Sequence, residues 1–156
     1  MNIILLTHER ELSKTSNTGR LVKASLGEMV ELVIWRRKEP DPALISKLEK
    51  GRTALVYPTT ETEEKEPHTV GCFDAFVILD ATWQQARKMY NQSPYLRNIP
   101  KISLDSVPDS RYKLRRNQRE GCLCTAECVV ELLKQGKQFL HAEQLQSEFE
   151  LMNSVQ

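Results

Sequence analysis

The sequence predicts a single α/β domain over residues 1–156, with a mainly parallel sheet and flanking helices. Apolar runs typical of strands alternate along the chain with segments of helical spacing, and short polar loops separate them. The run at 76–79 is unbroken and has no polar alternation, which is typical of a strand buried on both faces. With 156 residues, of which 40% are hydrophobic, the chain is long enough to bury the core of one domain.

The first elements are a strand, a helix and a second strand. Residues 1–7 are rich in Ile and Leu and predict a strand that ends at a polar run. A loop of hydroxyl and amide side chains then leads into a short helix over 19–26. Residues 31–35 predict the second strand, which ends at the basic step 36–38.

The next elements lead to the central strand. Pro40 and Pro42 frame a turn, and a helix starts at residue 41 or 42 and ends at Gly51. A third strand is expected over 53–57. An acidic loop follows it and precedes the central strand at 73–79.

The last part of the chain predicts three helices and a short strand. One helix begins after Thr82, and the residues from Ser93 to Arg97 indicate a break that leads to a short strand over 100–104. Two amphipathic helices are expected over about 125–135 and 141–152, with Gly136 between them.

Charge and hydropathy exclude two classes of protein. The net charge is +1, so there is no overall basic field to drive unselective binding of nucleic acid, and any such binding must use a local patch. No run approaches the roughly 20 apolar residues that cross a bilayer, and the apolar N-terminus is too short for a signal peptide. We expect a cytoplasmic protein without a membrane partner.

The cysteines favour burial over metal binding. Three of the four, Cys122, Cys124 and Cys128, crowd into one segment, while Cys72 stands apart. A single residue separates the first two, whereas zinc sites use well-separated ligand pairs. We therefore expect small buried side chains in a reducing compartment and no metal.

The corner after the central strand is the first candidate site. Asp80 ends the strand, Thr82 is a plausible N-cap for the next helix, and Trp83 follows it. In open α/β sheets, ligands bind at such corners. From these residues alone, helix capping and packing on one side and catalysis on the other both remain open.

Two further segments could bind a ligand. The loop at 17–19 offers backbone N–H groups to an anionic or polar ligand, although an ordinary surface turn has the same composition. Five of the nine residues from Arg111 to Arg119 are basic, and Tyr112 offers a face on which a base can stack. Solvated surface is the alternative interpretation of this basic segment.

Several segments together resemble one family. The Asp-Ala-Thr-Trp sequence at 80–83 with the segment 85–89, then 93–96, 110–115 and 123–127, resemble the DTW-domain proteins, which are named for an Asp-x-Thr-Trp motif. Upstream, the pattern of Thr7, His8 and Glu11 and the run at 17–21 fit in the same order. The match extends from about residue 3 to residue 133.

The resemblance implies a tRNA-uridine aminocarboxypropyltransferase. Such an enzyme moves the 3-amino-3-carboxypropyl group of S-adenosylmethionine to N3 of a uridine and leaves methylthioadenosine. The resemblance also implies a SPOUT-like fold with a C-terminal knot at the cofactor site. Knots are rare in proteins, so the sequence pattern alone would not predict one.

The resemblance also suggests roles for individual residues. Asp80 is the expected general base, or an acceptor that orients the N3 proton, or an electrostatic partner of the donor, with Thr82 and Trp83 beside it. The residues expected to bind the donor are Asn17, Thr18, Gly19, Leu79, Leu104, Leu114, Leu123, Cys124, Thr125 and Glu127. The residues expected to contact tRNA are Arg111, Tyr112, Arg115 and Arg116. For Glu127, a first-turn acid that favours the helix dipole is an equal alternative.

The chain also departs from the family pattern. Many relatives carry a cysteine-rich zinc segment before the first strand, whereas this sequence starts directly at Met1, so metal binding is not carried over. Two alternative functions remain open. One is the same donor chemistry on ribosomal RNA or a small molecule, and the other is RNA binding without catalysis. A homodimer and a monomer are both open.

Overall fold

Five parallel strands form one sheet in the part of the chain that the structure describes. The computed structural model describes residues 1–14, 17–57, 70–104 and 124–154. The strands are β1 (Asn2–Thr7), β2 (Val30–Ile34), β3 (Thr53–Val56), β4 (Ala75–Asp80) and β5 (Lys101–Ile102). Their order in the sheet is β2-β1-β4-β3-β5, so β4 lies at the centre between β1 and β3.

Helices cover both faces of the sheet. They are α1 (Gly19–Leu26), α2 (Pro42–Lys50), α3 (Trp83–Asn91), α4 (Pro94–Arg97), α5 (Thr125–Gln135) and α6 (Phe139–Ser154). Apolar side chains of α1, α5 and α6 form one core cluster with the sheet, on a side we call the α1 face. Side chains of α2, α3 and α4 form a second cluster on the opposite side, the α3 face.

Strand β4 divides its side chains between these two clusters. Phe76 and Ile78 are buried in the α1-face cluster, whereas Val77 is buried in the α3-face cluster. Because successive side chains of a strand point to opposite faces, Leu79 belongs to the α3 face and Asp80 to the α1 face. Accordingly, Leu79 packs against the α3-face cluster.

The topology creates a crevice where β1 and β4 end. The two strands are neighbours, and Thr7 is paired with Asp80 in their register. The chain leaves β1 through α1 on one face and leaves β4 through α3 on the other. Because the following connections diverge to opposite faces at this pair of strands, this edge is a topological switch point, where open α/β sheets bind ligands.

The predicted α/β class with a parallel sheet is confirmed, and most element bounds agree within two residues. The expected break at residues 93–97 instead contains the one-turn helix α4, since Pro94 suits a first helical position and Leu96 is buried. Strand β5 has two residues rather than five and pairs only with β3 among the described strands. The predicted knot depends on the path of residues 105–123, which lie outside the described residues, so it stays a prediction.

None of the helices in the described ranges is long and apolar enough to cross a bilayer.

Candidate active site

The carboxylate of Asp80 lies at the centre of a buried hydrogen-bond network. The residue is 0% exposed. Its Oδ1 accepts hydrogen bonds from Asn17 Nδ2 and from Thr125 Oγ1, both at 2.9 Å, and its Oδ2 accepts one from Thr7 Oγ1 at 3.2 Å. These bonds join the end of β1, the loop before α1 and the first residue of α5.

Two helices begin beside this carboxylate, and the Asn17–Thr18 pair caps both of them. The side-chain oxygen of Asn17 accepts from the backbone N–H of Arg20 in α1 at 3.1 Å. The hydroxyl of Thr18 accepts from the backbone N–H of Ala126 in α5 at 3.0 Å. Because the N-terminus of a helix carries a partial positive charge, the starts of α1 and α5 contribute positive potential beside Asp80.

Gly19 allows α1 to begin against Asp80. A Cβ at this position would lie 2.8 Å from Asp80 Cγ, closer still to Oδ2, and 3.0 Å from Asn17 Oδ1. Real Cβ atoms do not approach neighbours so closely, so the site requires the smallest residue here.

Glu11 is a second buried acid beside the network. It is 1% exposed, its Oε1 accepts from Asn17 Nδ2 at 3.4 Å, and its Oε2 pairs with Lys14 Nζ at 2.6 Å. The amide of Asn17 therefore lies between two carboxylates, which fixes its orientation.

Thr82 and Trp83 lie on the side of the α3 face. Thr82 forms a capping box with Gln85: its hydroxyl accepts from Gln85 N at 3.2 Å, and its own N–H donates to Gln85 Oε1 at 2.9 Å. The Trp83 ring stacks on Tyr57, with centroids 5.8 Å apart, and Tyr57 stacks on Tyr90 at 4.4 Å. We call these three rings the aromatic stack; it lies after the carboxyl ends of β3 and β4.

His8 follows β1 directly and completes the edge of the crevice. Its backbone N–H donates to the carbonyl of Asp80 at 3.1 Å, and its Nδ1 accepts from the backbone N–H of Arg10 at 3.1 Å. The ring stacks on Trp35, with centroids 5.8 Å apart. Burial, together with the positive charge of Arg10, lowers the pKa of His8 from its ordinary value of 6.5.

Comparison with known proteins identifies the family. The model of the DTW domain matches residues 1–156. This chain belongs to the DTW-domain family. The resemblance inferred from the motifs is thus confirmed over the whole length of the sequence.

Curated relatives of this DTW domain carry one name. A protein of Drosophila melanogaster, 30% identical over 140 residues, is named tRNA-uridine aminocarboxypropyltransferase 2, and the match covers 84% of this chain and 54% of that protein. A protein of Macaca fascicularis with the same name is 27% identical over 138 residues, covering 85% of this chain and 46% of that protein. The DTW domain thus spans about half the length of these relatives. No solved structure matches it.

The structure brings together some of the predicted site residues of the DTW domain and separates others. Asp80, Asn17, Gly19 and Thr125 meet directly, and Thr18 joins them through Ala126. Leu79 and Leu104 pack against clusters on opposite faces.

Cys124 and Glu127 form the start of α5. Glu127 Oε1 accepts from the backbone N–H of Cys124 at 3.2 Å, which is half of a capping box. Burial raises the pKa of the Cys124 thiol, and the negative charge of Glu127 raises it further. The thiol is therefore neutral near pH 7 and does not act as a nucleophile.

Other predicted residues lie outside the described residues. They are Arg111, Tyr112, Leu114, Arg115, Arg116, Cys122 and Leu123. Across the ranges that are described, no group of three or more His, Cys, Asp or Glu side chains is placed to hold a metal ion.

The predicted site residues of the DTW domain did not include Thr7, His8 and Glu11. They are nevertheless the residues of its first motif, and two of them hydrogen-bond directly to Asp80 or Asn17 through their side chains. Their position at the end of a predicted strand and just after it was the available signal, because β1 and β4 end at the same edge.

The lowered pKa of His8 predicts a pH dependence of stability. Well above pH 6.5 the ring is neutral in both the folded and the unfolded chain. As the pH falls below 6.5, the unfolded chain takes up the proton first, so the free energy of unfolding decreases. His8→Gln should remove this part of the decrease when urea unfolding is measured between about pH 5 and pH 8. An identical decrease in the variant would assign the effect to another group.

Proposed function

We propose that this chain transfers the 3-amino-3-carboxypropyl group of S-adenosylmethionine to N3 of a uridine in tRNA. One observation carries the proposal: the DTW-motif residue Asp80 binds side chains from three distant segments of the family pattern, at the edge where α/β sheets bind ligands. The name of the two curated relatives supports the same activity.

The donor has chemical features that this edge can accommodate. Its adenine is a flat aromatic ring, whose face can stack on the half-buried ring of Trp83 at the end of the aromatic stack. Its amino-acid end requires hydrogen-bond partners, which we assign to the backbone around Asn17–Gly19 and around Cys124 and Thr125. When bound, the donor supplies a sulfonium-activated carbon, and methylthioadenosine leaves.

Asp80 has a positioning role in this proposal. Its burial and the hydrogen bonds that it accepts from Thr7, Asn17 and Thr125 support a role in which Asp80 holds the starts of α1 and α5 in place. Because two reactants must be held in line for transfer, fixing these loops contributes to the rate.

The basic segment completes the proposal. We assign Arg111, Arg115 and Arg116 to phosphates of tRNA and Tyr112 to a stacked base, and we assign Leu114 and Leu123 to the donor site of a SPOUT-like knot. The composition of this segment and the family resemblance support these assignments.

Nucleoside analysis tests the proposed function. Cells that lack this chain should lose 3-(3-amino-3-carboxypropyl)uridine from their tRNA, as measured by mass spectrometry. Expression of the wild-type chain or of Asp74→Asn, at the exposed position just before β4, should restore it. Unchanged aminocarboxypropyluridine in tRNA would overturn the proposal, and a loss confined to ribosomal RNA would redirect it to that substrate.

A further inference from the structure

We propose that His8 is a further catalytic residue, which donates a hydrogen bond from Nε2 to a carbonyl oxygen of the target uracil. This inference rests on the proposed function and adds a residue to its chemistry.

The position of His8 suits contact with a substrate. It is the first residue after β1, at the switch point, and its backbone is hydrogen-bonded to the carbonyl of Asp80. The carboxylate of Asp80 is fully buried toward the α1 face, whereas the side chain of His8 is partly exposed. The side chain of His8 can therefore contact a ligand at this edge of the sheet, whereas the carboxylate of Asp80 stays buried beneath the edge.

The hydrogen bond at Nδ1 determines what the ring can offer. Because Nδ1 accepts from the N–H of Arg10, a neutral imidazole must carry its proton on Nε2. The lowered pKa of His8 keeps the ring in this neutral form. In the described part of the chain, Nε2 has no hydrogen-bond acceptor, so its N–H is available to a ligand.

The ring is also held rigidly. It stacks on Trp35, with an interplanar angle of 24°. The indole of Trp35 is buried, and its Nε1 donates to Ser93 Oγ at 2.8 Å. A hydrogen-bond donor that is held in place before the substrate binds can stabilise developing charge without a rearrangement of the site.

The reaction creates charge that such a donor can stabilise. The N3 atom of uracil forms the new bond to carbon, the bond between that carbon and sulfur breaks, and sulfur keeps the electron pair. The proton of N3 leaves to water. As N3 loses its proton, negative charge spreads to the carbonyl oxygens on either side, and a hydrogen bond to one of them lowers the cost of forming the nucleophile.

The test compares two RNA substrates of different N3 acidity. Transcripts of one tRNA are made with uridine or with 5-fluorouridine, whose N3 is more acidic, and the rate of transfer is measured under single-turnover conditions. His8→Ala should reduce the rate on the uridine transcript by about 100-fold, since loss of one preorganised donor costs that much or more. On the 5-fluorouridine transcript the loss of rate in His8→Ala should be smaller by about tenfold or more. The more acidic N3 depends less on the hydrogen bond from His8. His8→Gln, which retains an N–H donor, should recover part of the rate.

The controls separate the two proposals. His141→Ala removes a histidine on α6 and should leave both rates unchanged. Equal deficits of His8→Ala on both transcripts, or full activity of this variant, would overturn the role of His8 and leave the proposed function intact. Absence of transfer by the wild-type chain to either transcript would overturn both.

Discussion

Asp80→Asn is expected to weaken both the fold and the reaction. The amide keeps the shape of the side chain but loses the charge, and its NH2 group faces a network in which Asn17 donates from its own amide nitrogen. Since hydrogen bonds to charged groups contribute about 1.5 to 3 kcal/mol, the free energy of unfolding should fall by about 2 kcal/mol. Transfer to tRNA should fall by about 100-fold or more, because loss of position at the reacting groups costs that much.

Affinity for the donor distinguishes the two roles of Asp80. If Asp80 positions the loops, the dissociation constant of S-adenosylmethionine, measured by calorimetry, should rise together with the loss of rate. A loss of rate with unchanged donor affinity and unchanged stability would instead identify Asp80 as the acceptor of the N3 proton. Asp74→Asn, at the exposed position just before the same strand, is the matched control and should alter none of these quantities.

Gly19→Ala is expected to disrupt the same centre by sterics alone. The added Cβ would press on the carboxylate of Asp80, which is held by Thr7 and Asn17, so either α1 or Asp80 must move. Overpacking of this kind costs about 1 to 3 kcal/mol, and we expect a value near the top of that range from urea unfolding. Transfer should also decrease by about tenfold or more, because the start of α1 shifts.

A second glycine provides the comparison for Gly19→Ala. Gly71 has open space around its Cβ position, so Gly71→Ala should leave stability within about 0.5 kcal/mol of the wild type. If Gly19→Ala were as stable and as active as Gly71→Ala, the close approach of α1 to Asp80 would have no functional importance.

Local patterns predicted the elements of this fold well, but not the arrangement of its strands. Helices α1 and α5 have the predicted bounds because Thr18 precedes α1, Thr125 begins α5, and a glycine follows each helix. The placement of β4 between β1 and β3 depends on contacts between distant segments, which periodicity along the chain does not report. The short helix α4 was missed because its single turn is stabilised by the buried Leu96 rather than by a repeating pattern.

The candidate site was predicted in part, for a similar reason. The end of a buried strand pointed to Asp80, and the family pattern added Asn17, Gly19 and Thr125. That Thr18 would cap a helix other than the one it precedes could not be predicted, because its partner, Ala126, is 108 residues away. Glu11 was also missed, because a buried acid in a polar loop cannot be told from an exposed one by sequence. Its burial becomes visible only when the structure places Asn17 beside it.

The double capping by Asn17 and Thr18 has a consequence for biogenesis. Thr18 obtains its partner Ala126 in α5 from 108 residues further along the chain, and Asp80 obtains Thr125 from the same helix, so the centre around Asp80 is incomplete until the ribosome has made α5. Contacts of such long sequence separation form late and slowly in folding. A nascent chain that has already formed β1 to β4 therefore lacks the complete hydrogen-bond network around Asp80 until α5 has been made.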